Sequence, residues 1–356
     1  MFKEAWQIYA RAAKIRKEGL KAYLGNAKQI CEQILQNCWN GTHFVISTGH
    51  FKQFWTRDFG MNAGALVRLG YKDEVRKTLQ YALNIFSNHK SVGTTILSKK
   101  KIISFPTYSP DSLAFLLHSI RLARLKVTEK DKEFLENSVA DFIERVVDKE
   151  TGLVRKNTHF SSMKDYYIRN SSCYDNIMAA LVAREAKALH LKCEYEFPYK
   201  AFIETFWKGN YFLDDLSSHE YVAGDANVFP FWSGIVKSRS MLKSALTAIK
   251  QEGLDRPFPL KYTAKPAPQR RISMGFFVPN YAGNTIWTHL GGCYLQVLQK
   301  ANKAEFKASI GRYKEMIEKH KNFLEVFNPD GTPYKSRFYF SDDSMLWAAN
   351  YLAALQ

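Results

Sequence analysis

The sequence predicts an all-α protein, a closed ring of six helical hairpins, or (α/α)6 barrel, built as one domain over residues 1–356. Three observations carry this. Apolar residues recur at helical spacing along nearly the whole chain. The helices alternate between a charged, amphipathic kind and a kind that is apolar almost all round. Polar and aromatic residues collect in the segments that open each apolar helix. A helix apolar on every side is buried on every side, so the alternation describes outer helices followed by inner ones.

Taken in order, helical periodicity covers 4–37, then 61–69 ("MNAGALVRLG", inner) and 73–88 ("YKDEVRKTLQYALNIF", outer). It continues over 111–125 ("SLAFLLHSI", inner), 129–147 ("DKEFLENSVADFIERVV", outer), 173–191 ("NIMAALVA", inner) and 198–208. The run at 226–251 predicts two helices, with a break near Ser238–Ser240. Helices at 284–301 ("TIWTHLGGCYLQVL", inner), 303–323 ("AEFKASIGRYKEMIEKH", outer) and 343–355 ("SMLWAANYLAAL", inner) complete about twelve. One strand pair is predicted around "TTILSKKKIISF". Segments 155–172 and 252–283 read as long loops, which in compact domains are often functional. An elongated helical solenoid would need a length-regular repeat, and none is present.

The 356 residues are 46% hydrophobic and 24% charged, enough for a sizeable core and unlike a disordered chain. The start, "MFKEAWQIYARAAKIRKEG", carries no apolar run of signal-peptide length. No stretch approaches the roughly 20 apolar residues of a membrane span. The five cysteines are scattered in no disulfide or metal-ligand pattern, and a cytoplasmic location is expected. A net charge of +17 could mark a nucleic-acid partner. Yet the lysines are spread over helix faces, with no basic block, zinc pattern or RNP-like motif, so no nucleic-acid partner is expected. No metal or other cofactor is called for.

The six openings read "FWTRDF", "PTYSPDS", "DYYIRNSSCYDN", "GDANVFPFW", "PNYAGNTIW" and "RFYFSDDS". A ring places them all at one end, as a cleft of carboxylates, amides and aromatic faces. Sugars are bound by stacking their C–H faces on aromatics while carboxylates and amides take the hydroxyls. Cleaving a glycosidic bond needs two carboxyls, one protonated and one ionised. The carboxyls on offer are Asp58, Asp111, Asp165, Asp175, Asp225, Glu325, Asp342 and Asp343. Capping of the inner helices is the plainer reading of Asp111, Asp342 and Asp343. Arg57–Asp58, set among aromatics, reads either as a structural ion pair or as a ligand-binding pair.

The order "FWTRDF", "MKDYYIRNSSCYDNIMAALVARE", "VPNYAGNTIWTHLGGCYLQVL" and "NFLEVFNPDGTPYKSRFYFSDDSMLWAANYLAAL" resembles the six-hairpin glycosidases. It looks most like the alkaline/neutral invertases. Glucoamylases, trehalases, the glucosidase part of debranching enzymes and glucosylglycerate-type hydrolases are similar at greater distance. The resemblance runs over most of residues 50–356. It implies inverting, exo-acting hydrolysis of an α-linked glucoside or short oligosaccharide. It implies Asp165 as general acid, with Asp175 as the alternative, and Glu325 as general base, with roughly 6.5–9.5 Å between the carboxyls for the attacking water. Arg57 and Asp58 would hold sugar hydroxyls. Trp55, Phe59, Trp232 and Trp287 are the candidate stacking platforms, though core packing is the alternative for Trp232 and Trp287. Tyr166, Asp111, Asp175, Asp225, Asn284, Lys335 and Arg337 complete the candidate binding set. The invertases are basic where this chain has Tyr166–Tyr167, and have Pro-Glu-Tyr-Tyr where it has Leu-Glu-Val-Phe, which leaves sucrose specificity open.

Three other readings stand beside this one. A sugar epimerase needs paired histidines at the barrel mouth, and only His50 lies near one. A phosphorylase could hold phosphate on Arg270, Arg271, Lys335 and Arg337. A carbohydrate-binding protein without catalysis would keep the barrel alone. A homo-oligomer is compatible with all of them.

Overall fold

The computed structural model describes residues 2–217, 219–266, 268, 269 and 271–356, so Arg270 lies outside the described residues. Among the described residues there are thirteen α-helices. Helix α1 (Phe2–Glu18) precedes six outer–inner pairs. These are α2 (Ala27–Cys38) with α3 (Thr56–Arg68), α4 (Lys72–His89) with α5 (Pro110–Ala123), and α6 (Glu129–Val146) with α7 (Cys173–Ala188). Then follow α8 (Tyr199–Phe206) with α9 (Gly224–Trp232), α10 (Arg239–Gln251) with α11 (Thr288–Ala301), and α12 (Lys303–His320) with α13 (Ala348–Ala354). The inner helices pack in succession from α3 to α13, and α13 returns to α3, so the ring is closed. Outer helix α2 spans the seam by packing on both α12 and α13.

The inner helices have almost no solvent face. Every residue of α13 is buried, as is every residue of α9 but Trp232 and of α5 but Arg121 and Leu122. This is the alternation read from the sequence, and it has the physical cause expected of it. The predicted 4–37 helix is two helices. Gly19 and Gly25, at φ +83° and +101°, carry a left-handed backbone that ends the first. Asn26 and Gln29 then form a capping box on α2. The predicted break near 238–240 is present, with Ser238 capping α10. The last inner helix is shorter than predicted: it starts at Ala348, and the preceding turn passes through Ser344 at φ +58°.

Two small sheets tie the openings together. Strands β1 (Phe54–Trp55), β2 (Thr95–Ile96) and β3 (Ile102–Ile103) form an antiparallel sheet. The β2–β3 pair is the one predicted. The β1 strand runs directly into α3, and Thr56 donates backbone and side-chain hydrogen bonds to the carbonyls of Thr94 and Gly93. Strands β4 (Ile286–Trp287) and β5 (Val326–Phe327) join the start of α11 to the segment carrying Glu325. Among the described residues no helix is long and apolar enough to cross a membrane, and all five cysteines are free.

The ring depends on close approach between inner helices. At Gly60 on α3, a Cβ atom would lie against the Phe115 side chain of α5, 2.7 Å from its Cγ. Gly60→Ala is therefore expected to destabilise by about 1–3 kcal/mol through overpacking. Gly64→Ala, whose Cβ would meet only Leu122 at 3.4 Å, is expected to be neutral or stabilising through helix propensity. Chemical denaturation of the two variants checks the contrast.

Candidate active site

The openings meet at one end of the ring, where the inner helices begin. Asp58, Asp111, Asp175 and Asp225 each stand in the first turn of an inner helix, where the helix dipole favours a carboxylate. Their surroundings differ, and the differences decide what each can do.

Arg57 is buried and does not pair with its neighbour Asp58. Its Nε donates to Asp111 Oδ2 at 2.5 Å, and Nη1 and Nη2 grip the Asp165 carboxylate at 3.3 and 3.0 Å. Tyr174 from α7 donates to the same Asp111 oxygen at 3.0 Å. One guanidinium thus joins α3, α5, α7 and the loop before α7. Ser161 adds a hydrogen bond to Asp165 Oδ1 at 2.9 Å. The Asp165 side chain keeps 26% of its surface open, so it remains accessible from the cleft. Asp58 is half-buried, and its carboxyl accepts a hydrogen bond only from its own backbone N–H among the described residues. Burial raises it, Arg57 pulls it down, and Asp165 and Asp111 push it up again, to about 7.

The loop carrying Asp165 is anchored from below by two cations. Lys164, wholly buried, lies 2.8 Å from Asp214 and 3.5 Å from Asp225. Arg169 bridges the same two carboxylates at 3.1 and 2.8 Å. Tyr221 and Gln269 also donate to Asp214. From above, Ile272 N–H donates to the Tyr166 carbonyl at 3.0 Å. Asp165 is therefore held from both flanks of its own loop and by Arg57 across the ring.

Glu325 sits in a contrasting environment, just before β5. It is 1% exposed and has no cation beside it among the described residues. Tyr281 donates to Oε1; Tyr339 donates to Oε2 at 2.5 Å, and the Asp342 amide to the same oxygen at 3.0 Å. The two phenol oxygens are 3.0 Å apart. Burial and the nearby Asp342 carboxylate push Glu325 up to about 8, against the pull of the three donors. Its backbone is pinned by Thr288 at the start of α11, whose N–H and hydroxyl both donate to the Glu325 carbonyl. Tyr166, half-buried, packs edge-on against Tyr281 with ring centroids 5.9 Å apart. After burial, the charges of Asp165 and Glu325 both act to raise its phenol. Tyr166 thus links the two neighbourhoods: it follows Asp165 in the chain and packs on the Tyr281 ring that bonds Glu325.

Several sequence-predicted site residues take other parts. Asp111 and Asp225 are fully buried and spent on Arg57 and on Lys164–Arg169. Asp175 is 4% exposed and exchanges hydrogen bonds with Ser172 at the start of α7, which makes it a helix-capping partner. Phe59 is 1% exposed and packs on Phe54 in the core, so it offers no stacking face. Trp232 ends α9 at the opposite end of the ring and bonds Gln296, away from the cleft. Trp287 is 7% exposed, donates to the Tyr281 carbonyl at 2.9 Å and packs beneath that ring. Trp55 is half-buried beside Phe51 and keeps an accessible face. Asn284 is bonded to Asn280 within its turn. Lys335 and Arg337 are exposed on the hairpin that carries Tyr339. Asp342 and Asp343 do not cap α13. Asp342 accepts from Ser47 and from the His50 and Phe51 amides, and Arg11 binds Asp343.

Sequence reasoning passed over Tyr281, Tyr339, Lys164, Arg169 and Asp214. The two tyrosines stand in the fifth and sixth openings, but their convergence on Glu325 leaves no mark in any local spacing. Among the described residues no group of three or more His, Cys, Asp or Glu side chains could hold a metal ion. The arrangement offers two carboxyls in opposed settings, one beside a cation and one among neutral donors, the kind of contrast that separates an acid from a base.

No family model matches the chain, and no curated protein matches it. Solved structures do match in fold. A rhamnosidase from Klebsiella oxytoca with rhamnose bound superposes with a TM-score of 0.64 at 13% identity, over 93% of this chain and 64% of that one. This chain thus spans just under two thirds of the rhamnosidase. A GH63 mannosylglycerate hydrolase from Thermus thermophilus, in complex with Tris and D-glycerate, gives 0.62 at 12% identity, over 92% of this chain and 99% of that one. A wild-type glycosidase gives 0.64 at 10% identity, over 99% and 97%. The (α/α)6 fold is shared with all three.

The anchoring of the Asp165 loop is open to a direct test. Burial alone would raise Asp214, but Lys164 and Arg169 outweigh it and hold its carboxyl at about 2. Its contribution to stability is complete above the unfolded value of about 4 and is lost as pH falls from there towards 2. Asp214→Asn leaves Lys164 with Asp225 alone, and is expected to cost about 3–5 kcal/mol at pH 7, measured by urea unfolding. The cost should shrink as the pH is lowered through 4 to 3.

Proposed function

We propose that the chain is a glycoside hydrolase acting on a small carbohydrate, with Asp165 and Glu325 as its acid–base pair. The observation that supports this is two carboxyls in opposed electrostatic settings in the openings, Asp165 gripped by Arg57 and Glu325 held by two phenols and an amide. The fold it shares with a rhamnosidase, a mannosylglycerate hydrolase and a glycosidase supports the same reading. The motif resemblance favours an α-linked glucoside, cleaved with inversion.

The lone pairs of Glu325 define where water would stand. Oε2 already accepts from Tyr339 and the Asp342 amide, while Oε1 accepts only from Tyr281. One acceptor position remains, on Oε1. A water held there would lose a proton to Glu325 as its oxygen attacks the anomeric carbon. Asp165, on the other side, would give its proton to the departing glycosidic oxygen. Half-buried Asp58 and Trp55 would take sugar hydroxyls and a ring face.

A second assignment exchanges the two roles, and one observation favours it. Asp165 lies in the bidentate grip of Arg57, while Glu325 is the carboxyl pushed up to about 8. A pair of carboxyls divided in this way assigns the acid to the raised member.

One set of measurements tests the function and orders the roles. Sucrose, trehalose, maltose, isomaltose, glucosylglycerate and mannosylglycerate are offered, and the released anomer is followed by NMR. Hydrolysis of an α-linked substrate to a β-anomer is expected, with Glu325→Gln and Asp165→Asn each slower by about 10²–10⁴-fold. With Glu325 as base, kcat/KM rises with pH through about 8, because the ionised form is the active one; with Glu325 as acid it falls through the same pH. A glycosyl fluoride, which needs no acid, should restore turnover only in the variant lacking the acid. Absence of release from every substrate would remove the hydrolase reading.

A further inference from the structure

Behind Tyr339 stands a histidine that the proposed chemistry does not use. The His50 side chain is 2% exposed; Nε2 lies 3.0 Å from the Tyr339 hydroxyl and Nδ1 lies 3.4 Å from Asp342 Oδ1. Asp342 is already supplied with donors by Ser47 and the amides of His50 and Phe51, and the Arg11 guanidinium stands 3.4 Å from it. Nδ1 therefore makes no close hydrogen bond, and Nε2 is the nitrogen with a partner. Burial first and Arg11 second disfavour the imidazolium, with Asp342 opposing them. With the Tyr339 proton on Glu325 Oε2, the neutral ring can bond the Tyr339 oxygen only as a donor, which assigns its single proton to Nε2.

Counting hydrogens links this tautomer to Glu325. Tyr339 has one proton. When Glu325 is a carboxylate, that proton points to Oε2, and the Tyr339 oxygen is free to accept from His50. When Glu325 is protonated, the contacts Glu325–Tyr281, Tyr281–Tyr339 and Tyr339–Glu325 close a ring. Three hydrogens then serve three bonds, and His50 is not needed. A donor at His50 therefore favours the ionised state of Glu325 over the protonated one.

We propose that His50 is a positioning residue for Glu325, acting through Tyr339: its Nε2–H keeps the Tyr339 proton on the carboxylate and so sets the pH at which Glu325 ionises. The functional meaning rests on Glu325 belonging to the working pair, in either role. The groups facing His50 are Tyr339 from the hairpin, Asp342 from the last opening, Arg11 from α1 and the Phe51 ring. Those facing Glu325 are Tyr281, Tyr339 and Asp342, with the Tyr166 and Tyr334 phenols beyond.

Infrared difference spectroscopy tests this without substrate. The carbonyl band of protonated Glu325, identified by its loss in Glu325→Gln, is titrated against pH. In His50→Leu its midpoint is expected about one pH unit higher, a tenfold change in the ionisation constant. In His50→Gln, whose amide still donates, the midpoint should stay within a few tenths of wild type. An unchanged midpoint in His50→Leu, or equal shifts in the two variants, would overturn the proposal. Should His50→Leu not fold, ¹⁵N NMR of the wild-type imidazole decides at a pH where Glu325 is ionised. A ring protonated on Nε2 is expected; one protonated on Nδ1 alone sinks the idea. Because neither readout needs turnover, failure here and failure of the hydrolase reading are separable.

Discussion

A helix buried along its whole length can place charged groups only at its ends, and six such helices in a ring share one of those ends. This constraint organises the molecule. Helices α5, α9 and α13 have almost no residue facing solvent, and the carboxylates of α5 and α9 stand in the first turn, where unpaired N–H groups and the dipole welcome them. Placing so many acids together is costly unless each finds a partner. Most of what surrounds the candidate site is the supply of those partners.

Two kinds of partner are used. Arg57, Lys164 and Arg169 are buried cations that each bridge two carboxylates drawn from separate segments. Such pairs gain little net stability against an apolar core, because both charges are desolvated. Here they join helices and loops that are far apart in sequence. Glu325 is treated differently. It is surrounded by neutral donors, two phenols and an amide, with a carboxylate nearby. A cation grips one carboxyl, while the other sits among neutral donors and is raised by burial. That asymmetry, more than any single residue type, gives this end of the ring its chemical character.

Position and ionisation are set by the same contacts. The Thr288 bonds that join β4–β5 to α11 also fix the Glu325 backbone. The Tyr339 hairpin that closes over Glu325 reaches His50, and through Asp342 reaches the loop at 47–51. A change in any of these groups would move the carboxyl and alter its acidity together.

Local pattern alone was enough for the ring: the alternation of charged and all-apolar helices, the break before α10, the β2–β3 pair and the gathering of polar openings at one end were all legible in it. It offered eight carboxyls in those openings, and the resemblance to the six-hairpin glycosidases narrowed them to Asp165 and Glu325, with Arg57 and Asp58 beside them. Left undecided was which carboxyls stay open. Asp111, Asp175 and Asp225 look no different in sequence from Asp58, yet they are consumed by Arg57, Ser172 and the Lys164–Arg169 pair. Phe59 and Trp232 share the aromatic signature of Trp55, but one faces the core and the other the far end of α9. Tyr281 and Tyr339 stood in the openings without any sign that they converge on one oxygen pair. Periodicity records which face of a helix is buried because that is a short-range property of spacing. Partnership between groups 44 or 108 residues apart depends on how the ring closes, and it exists only once the chain has folded.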